Sequence, residues 1–220
     1  MPPSPMNRRT ACTVLAAAAL AAGLSACAPL IVGSTVVGGV LALDRRTTGT
    51  QIEDEGIELR AVNRIVAALG ERAHVNVTSY NRQVLLTGEV PGAAQRQSVE
   101  QIVAAVENVR SVVNDLAVMP NSTLGQRSID TFITGKVRAS LVDARDISAN
   151  AFKVVTERNI VYLMGRVSQR EAERASDIVR GVTDVRKVVR VFEIISEEEL
   201  RRIAPQPLPA TTDSQAVSGG

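Results

Sequence analysis

Two rhythms of apolar residues alternate along this chain, and the whole series occurs twice. Ile57, Val62, Ile65, Val66 and Leu69 recur at helical spacing, and Gly70 is suited to stop that helix. Two β-type runs follow at 75–79 and 83–90, joined by a turn at Tyr80-Asn81-Arg82. Residues 93–106 return to the helical period, with Val99, Ile102, Val103 and Val106 on one face, and 109–118 predict a last strand. The same order then recurs, with helices near 128–142 and 170–181 and strands at 152–156, 160–167 and 185–195. In this second copy Ile129, Ile133, Val137 and Leu141 form a stripe expected to pack on the sheet. The predicted fold class is α+β: two tandem α-β-β-α-β modules, each a small three-stranded mixed sheet with two helices packed on it.

The repeat is sharpest where Val84-Leu85-Leu86-Thr87-Gly88-Glu89-Val90 returns 77 positions later as Val161-Tyr162-Leu163-Met164-Gly165-Arg166-Val167. A lone glycine in a strand marks a bulge or a close backbone approach, so Gly88 and Gly165 are read as structural. The first helix-to-strand loop reads five residues longer in the second module, an alignment that sets Phe132 opposite Arg60. Modules of about 70 residues have marginal cores, so packing against each other or against a partner is expected.

The N-terminus carries Arg8 and Arg9, an apolar run over 14–24, and then Leu24-Ser25-Ala26-Cys27. That is the layout of a secretory signal peptide. Leu24 at the −3 position does not suit an ordinary signal peptidase. Leu-Ser-Ala-Cys instead resembles the lipobox of bacterial lipoproteins, which makes Cys27 the acylated first residue of the mature chain. Cys12 lacks a preceding apolar run, and Ala28 after Cys27 points by resemblance to the outer membrane. The resulting division is 1–26 signal peptide, 27–50 acylated Cys and Gly-rich tether, 51–120 first module, 121–127 linker, 128–196 second module, and 197–220 a short helical extension with a disordered tail. The apolar stretch 29–43 is too short to span a bilayer and is either a tether against the lipid surface or a packing segment.

A lipobox followed by two such modules resembles the dual-BON-domain outer-membrane lipoprotein family. The resemblance rests on Thr48-Gly49-Thr50-Gln51 with Asp54, Val75-Asn76-Val77-Thr78, Asp130-Thr131-Phe132-Ile133-Thr134, Lys136-Val137-Arg138, Val161-Tyr162-Leu163-Met164-Gly165 and Arg170-Glu171-Ala172. The chain departs from the family in having Phe132 where members can carry Trp, and in its long C-terminal tail. The resemblance implies a lipid-contacting first helix in the second module, with Phe132, Ile133, Lys136 and Arg138 as lipid-binding residues. It also implies a role in envelope integrity.

Nothing in the sequence assembles a catalytic set. The single histidine, His74, opens a strand, no Gly-x-Ser-x-Gly elbow is present, and no Walker loop or dinucleotide motif appears. Neither a metal site nor a cofactor is expected, because the runs 53–55 and 197–199 read as solvated helix ends. Charge is more informative once divided. Residues 51–120 hold 6 basic and 9 acidic side chains, whereas 125–196 hold 13 and 9. The second module therefore suits an anionic partner. Compartment and the 2% aromatic content argue against nucleic acid, which leaves anionic phospholipid or a merely solvated surface. An exposed Phe132 near Lys136 would engage such a membrane; the alternative is that Phe132 fills a gap between the modules.

The expected protein is therefore a non-enzymatic lipoprotein on the periplasmic side of the outer membrane that binds anionic phospholipid through its second module. The alternative is a periplasmic adaptor for outer-membrane assembly or cell-wall remodelling proteins. Cys27→Ala should abolish acyl labelling and leave an unprocessed precursor, while Cys12→Ala should do neither; metabolic labelling with a fatty acid distinguishes them.

Overall fold

A threonine hydroxyl opens the first helix of each module. The computed structural model describes residues 44–70 and 73–203, so Cys27, the tether through residue 43 and the tail from residue 204 lie outside the described residues. Thr47 Oγ1 accepts from the Thr50 N–H and starts α1 (Thr48–Leu69), and Gly70, at φ +59°, stops it. Strands β1 (His74–Tyr80) and β2 (Gln83–Val90) follow, then α2 (Ala93–Ala104) and a third strand split into β3 (Ser111–Asn114) and β4 (Ala117–Val118). Thr123 caps α3 (Leu124–Asp143) in the same manner. A 3-10 turn (Ala149–Ala151), β5 (Lys153–Glu157), β6 (Ile160–Val167), α4 (Gln169–Arg180), β7 (Lys187–Ile194) and α5 (Glu197–Ile203) complete the second module. Helix α1 thus begins inside the stretch expected to be tether, because the Thr47 cap lies upstream of the acidic run.

Each sheet has β2 or β6 at its centre. Strand β2 pairs antiparallel with β1 and parallel with β3 and β4; β6 pairs antiparallel with β5 and parallel with β7. On one face of the first sheet Val84, Leu86 and Val90 pack against Ile57, Ala61, Ile65, Val99 and Val103 of the helices. The second module repeats this with Val161, Leu163 and Val167 against Ile133, Val137, Leu141, Ala175 and Val179. The alternate residues make a third core. Tyr80 and Leu85 from one sheet meet Tyr162, Met164 and Val191 from the other, so the sheets cover each other's helix-free faces. Central strands buried on both sides need continuous apolar runs, which explains Val84-Leu85-Leu86 in β2 and Val161-Tyr162-Leu163-Met164 in β6. Leu85 and Met164 have no exposed surface, and each such side chain contributes roughly 1.5–3 kcal/mol.

Both hairpins turn on two residues in the left-handed region, Asn81 and Arg82 at φ 50° and 63°, and Arg158 and Asn159 at 52° and 62°. Neither turn contains glycine, and each is held by an acid on the buried face of the preceding helix. The Asp54 carboxylate accepts from the Asn81 and Arg82 N–H groups at 2.8 and 2.7 Å and from the Ser79 hydroxyl at 2.7 Å. Asp130 accepts from the Arg158 and Asn159 N–H groups, both at 2.9 Å. Burial opposes the charge on Asp54, but Ser79, the two turn amides and Arg46 outweigh it and hold its carboxyl below the usual range.

These paired acids correct the helix alignment. Asp54 and Asp130 are 76 positions apart, so Phe132 corresponds to Gly56 and Lys136 to Arg60. Only one residue, not five, is gained before the strands, whose offset is 77. The helical stripes shift accordingly. Ala61 is buried while Val62 and Val66 are exposed, and Asp130 occupies the row expected for Ile129, which is 49% exposed.

The two strand glycines sit under backbone. A Cβ on Gly88 would lie 2.0 Å from the His74 carbonyl oxygen, and Gly88 adopts φ +109°; on Gly165 it would lie 2.3 Å from the Ala151 carbonyl oxygen. Gly88→Ala and Gly165→Ala should each cost about 1–3 kcal/mol in urea unfolding. Asp54 has a depressed folded-state pKa, so its stabilisation is present above the unfolded value near 3.9 and is lost as pH falls through the folded one. Asp54→Ala should lower Tm at neutral pH and flatten its decline in acid, as read by circular dichroism.

Candidate functional site

The helical period sorts the expected lipid-binding residues of α3 into different directions. Ile133 has no exposed surface and packs with Val137, Leu141, Val161 and Leu163, so its assignment as a lipid contact is corrected: it belongs to the core. Phe132, the adjacent residue, is 67% exposed and fills no gap between the modules. Ile129 and Leu124 are exposed as well, and at 100° per residue the three cover an arc of about 140°.

Lys136 Nζ lies 5.1 Å from the centre of the Phe132 ring, a cation–π contact one helical turn away. The same ammonium donates to Asp184 Oδ2 at 2.7 Å and to the Thr183 carbonyl at 2.8 Å. Its charge is therefore shared before any ligand arrives. Arg138 lies six positions past Phe132, about 120° round the helix. It lines a separate groove of about 460 Å³ with Asp44, Arg46, Tyr80, Phe152 and Lys153, and it forms no ion pair among the described residues. The structure thus brings Phe132 and Lys136 together and separates them from Arg138.

Polar contacts the sequence did not reveal rim the apolar junction between the sheets. Lys153 donates to Glu58 at 2.9 Å, Arg110 pairs with Glu193 at 3.1 Å, and the Tyr162 hydroxyl donates to Asp115 at 2.7 Å. Asp115 reaches that position because it interrupts the third strand between β3 and β4. At another edge of the junction Glu89 is fully buried. It lies 3.0 Å from His74 Nδ1 and accepts from Arg158 and from the Ser122 N–H, each at 3.0 Å. Burial opposes its charge, and the Ser122 amide, His74 and Arg158 prevail, holding its carboxyl below the usual range. Nearby, burial pushes the Glu157 carboxyl up against a hydrogen bond donated by Asn76 at 2.8 Å. The only histidine in the chain therefore faces a carboxylate and not a serine.

No described helix is long and apolar enough to cross a membrane. The BON domain pattern matches residues 53–120 and 129–196. Outer membrane lipoprotein DolP of Haemophilus influenzae is 36% identical over 175 residues, covering 78% of this chain and 90% of that protein. The 21 kDa hemolysin of Actinobacillus pleuropneumoniae is 34% identical over 155 residues, 70% of this chain and 80% of its own. Osmotically-inducible protein Y of Escherichia coli is 30% identical over 118 residues, 52% of this chain and 58% of its own.

Proposed function

This chain belongs to the BON-domain outer-membrane lipoproteins, and from that premise we propose that it binds anionic phospholipid through α3 and so supports envelope integrity without catalysis. The observation that carries the reading is an exposed aromatic, Phe132, held by Lys136 between the exposed Leu124 and Ile129 on the more basic module. The fold gains nothing from a large apolar residue there, since the matching position in the first module is Gly56. Inserting such a ring into the acyl boundary is favourable by roughly 1.5–3 kcal/mol, and each cation near the headgroups adds about 1 kcal/mol. Lys136 adds less than a free cation, because Asp184 already neutralises part of its charge. The anchor expected at Cys27 keeps the module within reach of the surface, so modest affinity suffices.

A second reading, a protein adaptor, has one observation in its favour. Ile52, Leu59 and Val66 recur every seven residues on the exposed side of α1, beside the exposed Glu55. An apolar stripe with an acidic neighbour suits a protein surface better than an anionic bilayer.

Co-sedimentation of the non-acylated protein, produced without residues 1–27, with phosphatidylglycerol vesicles tests the lipid reading. Binding should exceed that to phosphatidylcholine and weaken as salt screens the basic residues. Phe132→Glu should reduce it about tenfold or more while Tm is retained. Undiminished binding by folded Phe132→Glu would place the site elsewhere, and no preference for anionic vesicles would favour the adaptor.

A further inference from the structure

We propose that His74, Glu89 and Glu157 form a binding site for a divalent transition-metal cation at the junction of the two modules. The proposal is independent of the lipid reading. One candidate donor atom from each of the three residues lies within 4.8 Å of the others. His74 and Glu89 are register partners on β1 and β2, so their side chains share the sheet face that meets the second module. Glu157, the last residue of β5, comes from that module, and Asn76 holds its Oε2 at 2.8 Å. Thr87 pairs with Asn76 in register and lies on the same face, with a buried hydroxyl that has no partner among the described residues.

Charge balance points the same way. Two nearby carboxylates are buried here, Glu89 with no exposure and Glu157 at 3%. A buried charge is costly unless a cation or several donors compensate it. Arg158 satisfies Oε1 of Glu89, whereas among the described residues Glu157 accepts a hydrogen bond only from the neutral amide of Asn76. A dication between Glu157 and Glu89 Oε2 supplies the missing charge. A cleft of about 250 Å³, whose lining includes His74, Asn76, Glu157, Asp130 and Arg127, leads to the cluster.

One imidazole and two carboxylates form a mixed nitrogen and oxygen set suited to Zn²⁺, with at least one position left to water. Around a tetrahedral ion about 2.1 Å from each donor, those donors stand about 3.4 Å apart, so the His74–Glu89 pair at 3.0 Å opens slightly while the cluster, spread over up to 4.8 Å, draws in toward Glu157. His74 is the most exposed of the three and closes the distance by rotation. Binding replaces the His74–Glu89 contact with two metal bonds, while Ser122 and Arg158 keep their places on Glu89. The imidazole must offer an unprotonated nitrogen, and any proton it carries there is released to solvent. Such an ion would tie the start of β1 to the end of β5 and lock the modules together.

The test is calorimetric titration of the mature acylated chain in detergent, stripped with chelator, using zinc chloride. We expect one ion per chain with an affinity of about a micromolar or better, and a rise in Tm on loading. Glu157→Gln preserves the shape and the acceptor for Asn76. Both it and His74→Ala should weaken binding by at least the roughly tenfold that loss of an outer-shell partner costs. Glu173→Gln, an exposed change on α4, should bind as the parent does. Circular dichroism reports the fold of each variant. No saturable binding by the parent chain, or equal affinity in folded Glu157→Gln and His74→Ala, would overturn the proposal.

Discussion

Burial of β2 and β6 on both faces is the constraint on which the rest of this structure depends. An α-β-β-α-β module has two helices and so covers only one face of its sheet. The other face carries Leu85 and Tyr80 in the first module and Tyr162, Met164 and Val191 in the second, all buried by mutual contact. Separation would return these side chains to water in modules whose own cores are marginal. The pairing is thus part of folding, and the two modules belong to one compact unit. The polar contacts at its rim follow from it, because Glu89 and Glu157 lie buried where the second sheet closes over the first.

The segment ahead of α1 reinforces that arrangement. Arg45 makes a bidentate pair with Glu171 at 2.7 and 2.8 Å and donates to the Arg166 carbonyl, with both side chains nearly buried. Glu171 also closes the Ser168 capping box at the start of α4, so one carboxylate serves the helix and the lead-in together. Arg46 joins Asp44 and Asp54 and stacks over Tyr80 at 4.3 Å, reaching the first hairpin. Two adjacent arginines therefore bind opposite modules. The chain enters α1 from a point attached to both.

Functional surface is what these constraints leave uncovered. On α3 the row Asp130, Ile133, Val137 and Leu141 is consumed by the turn and the core. Phe132 and Lys136 remain on one side of the helix, and Arg138 on another beside the groove with Tyr80 and Phe152. A membrane meeting the Phe132 side would not engage Arg138 through the same contact. The helix separates two chemistries that lie within seven residues of sequence.

The repeat, the α-β-β-α-β order, the cap at Gly70 and the glycines of the central strands were legible in the sequence, because each depends on local periodicity or on one backbone requirement. The exposure of Phe132 was legible in part, since no apolar residue stands at the matching place in the first module. Helical phase was less so. Val62 and Ile129 fit an apolar stripe better than Ala61 and Asp130 do, and only the need to satisfy two turn amides in each module places the acids inside. Strand periodicity could show that β2 and β6 have two apolar faces, but not what covers the second. That was decided by one module closing on the other, which brought His74, Glu89 and Glu157 together from positions 74, 89 and 157. Residues so far apart in the chain leave no common pattern in it, because their proximity comes from a junction between sheets and from no local rule of spacing.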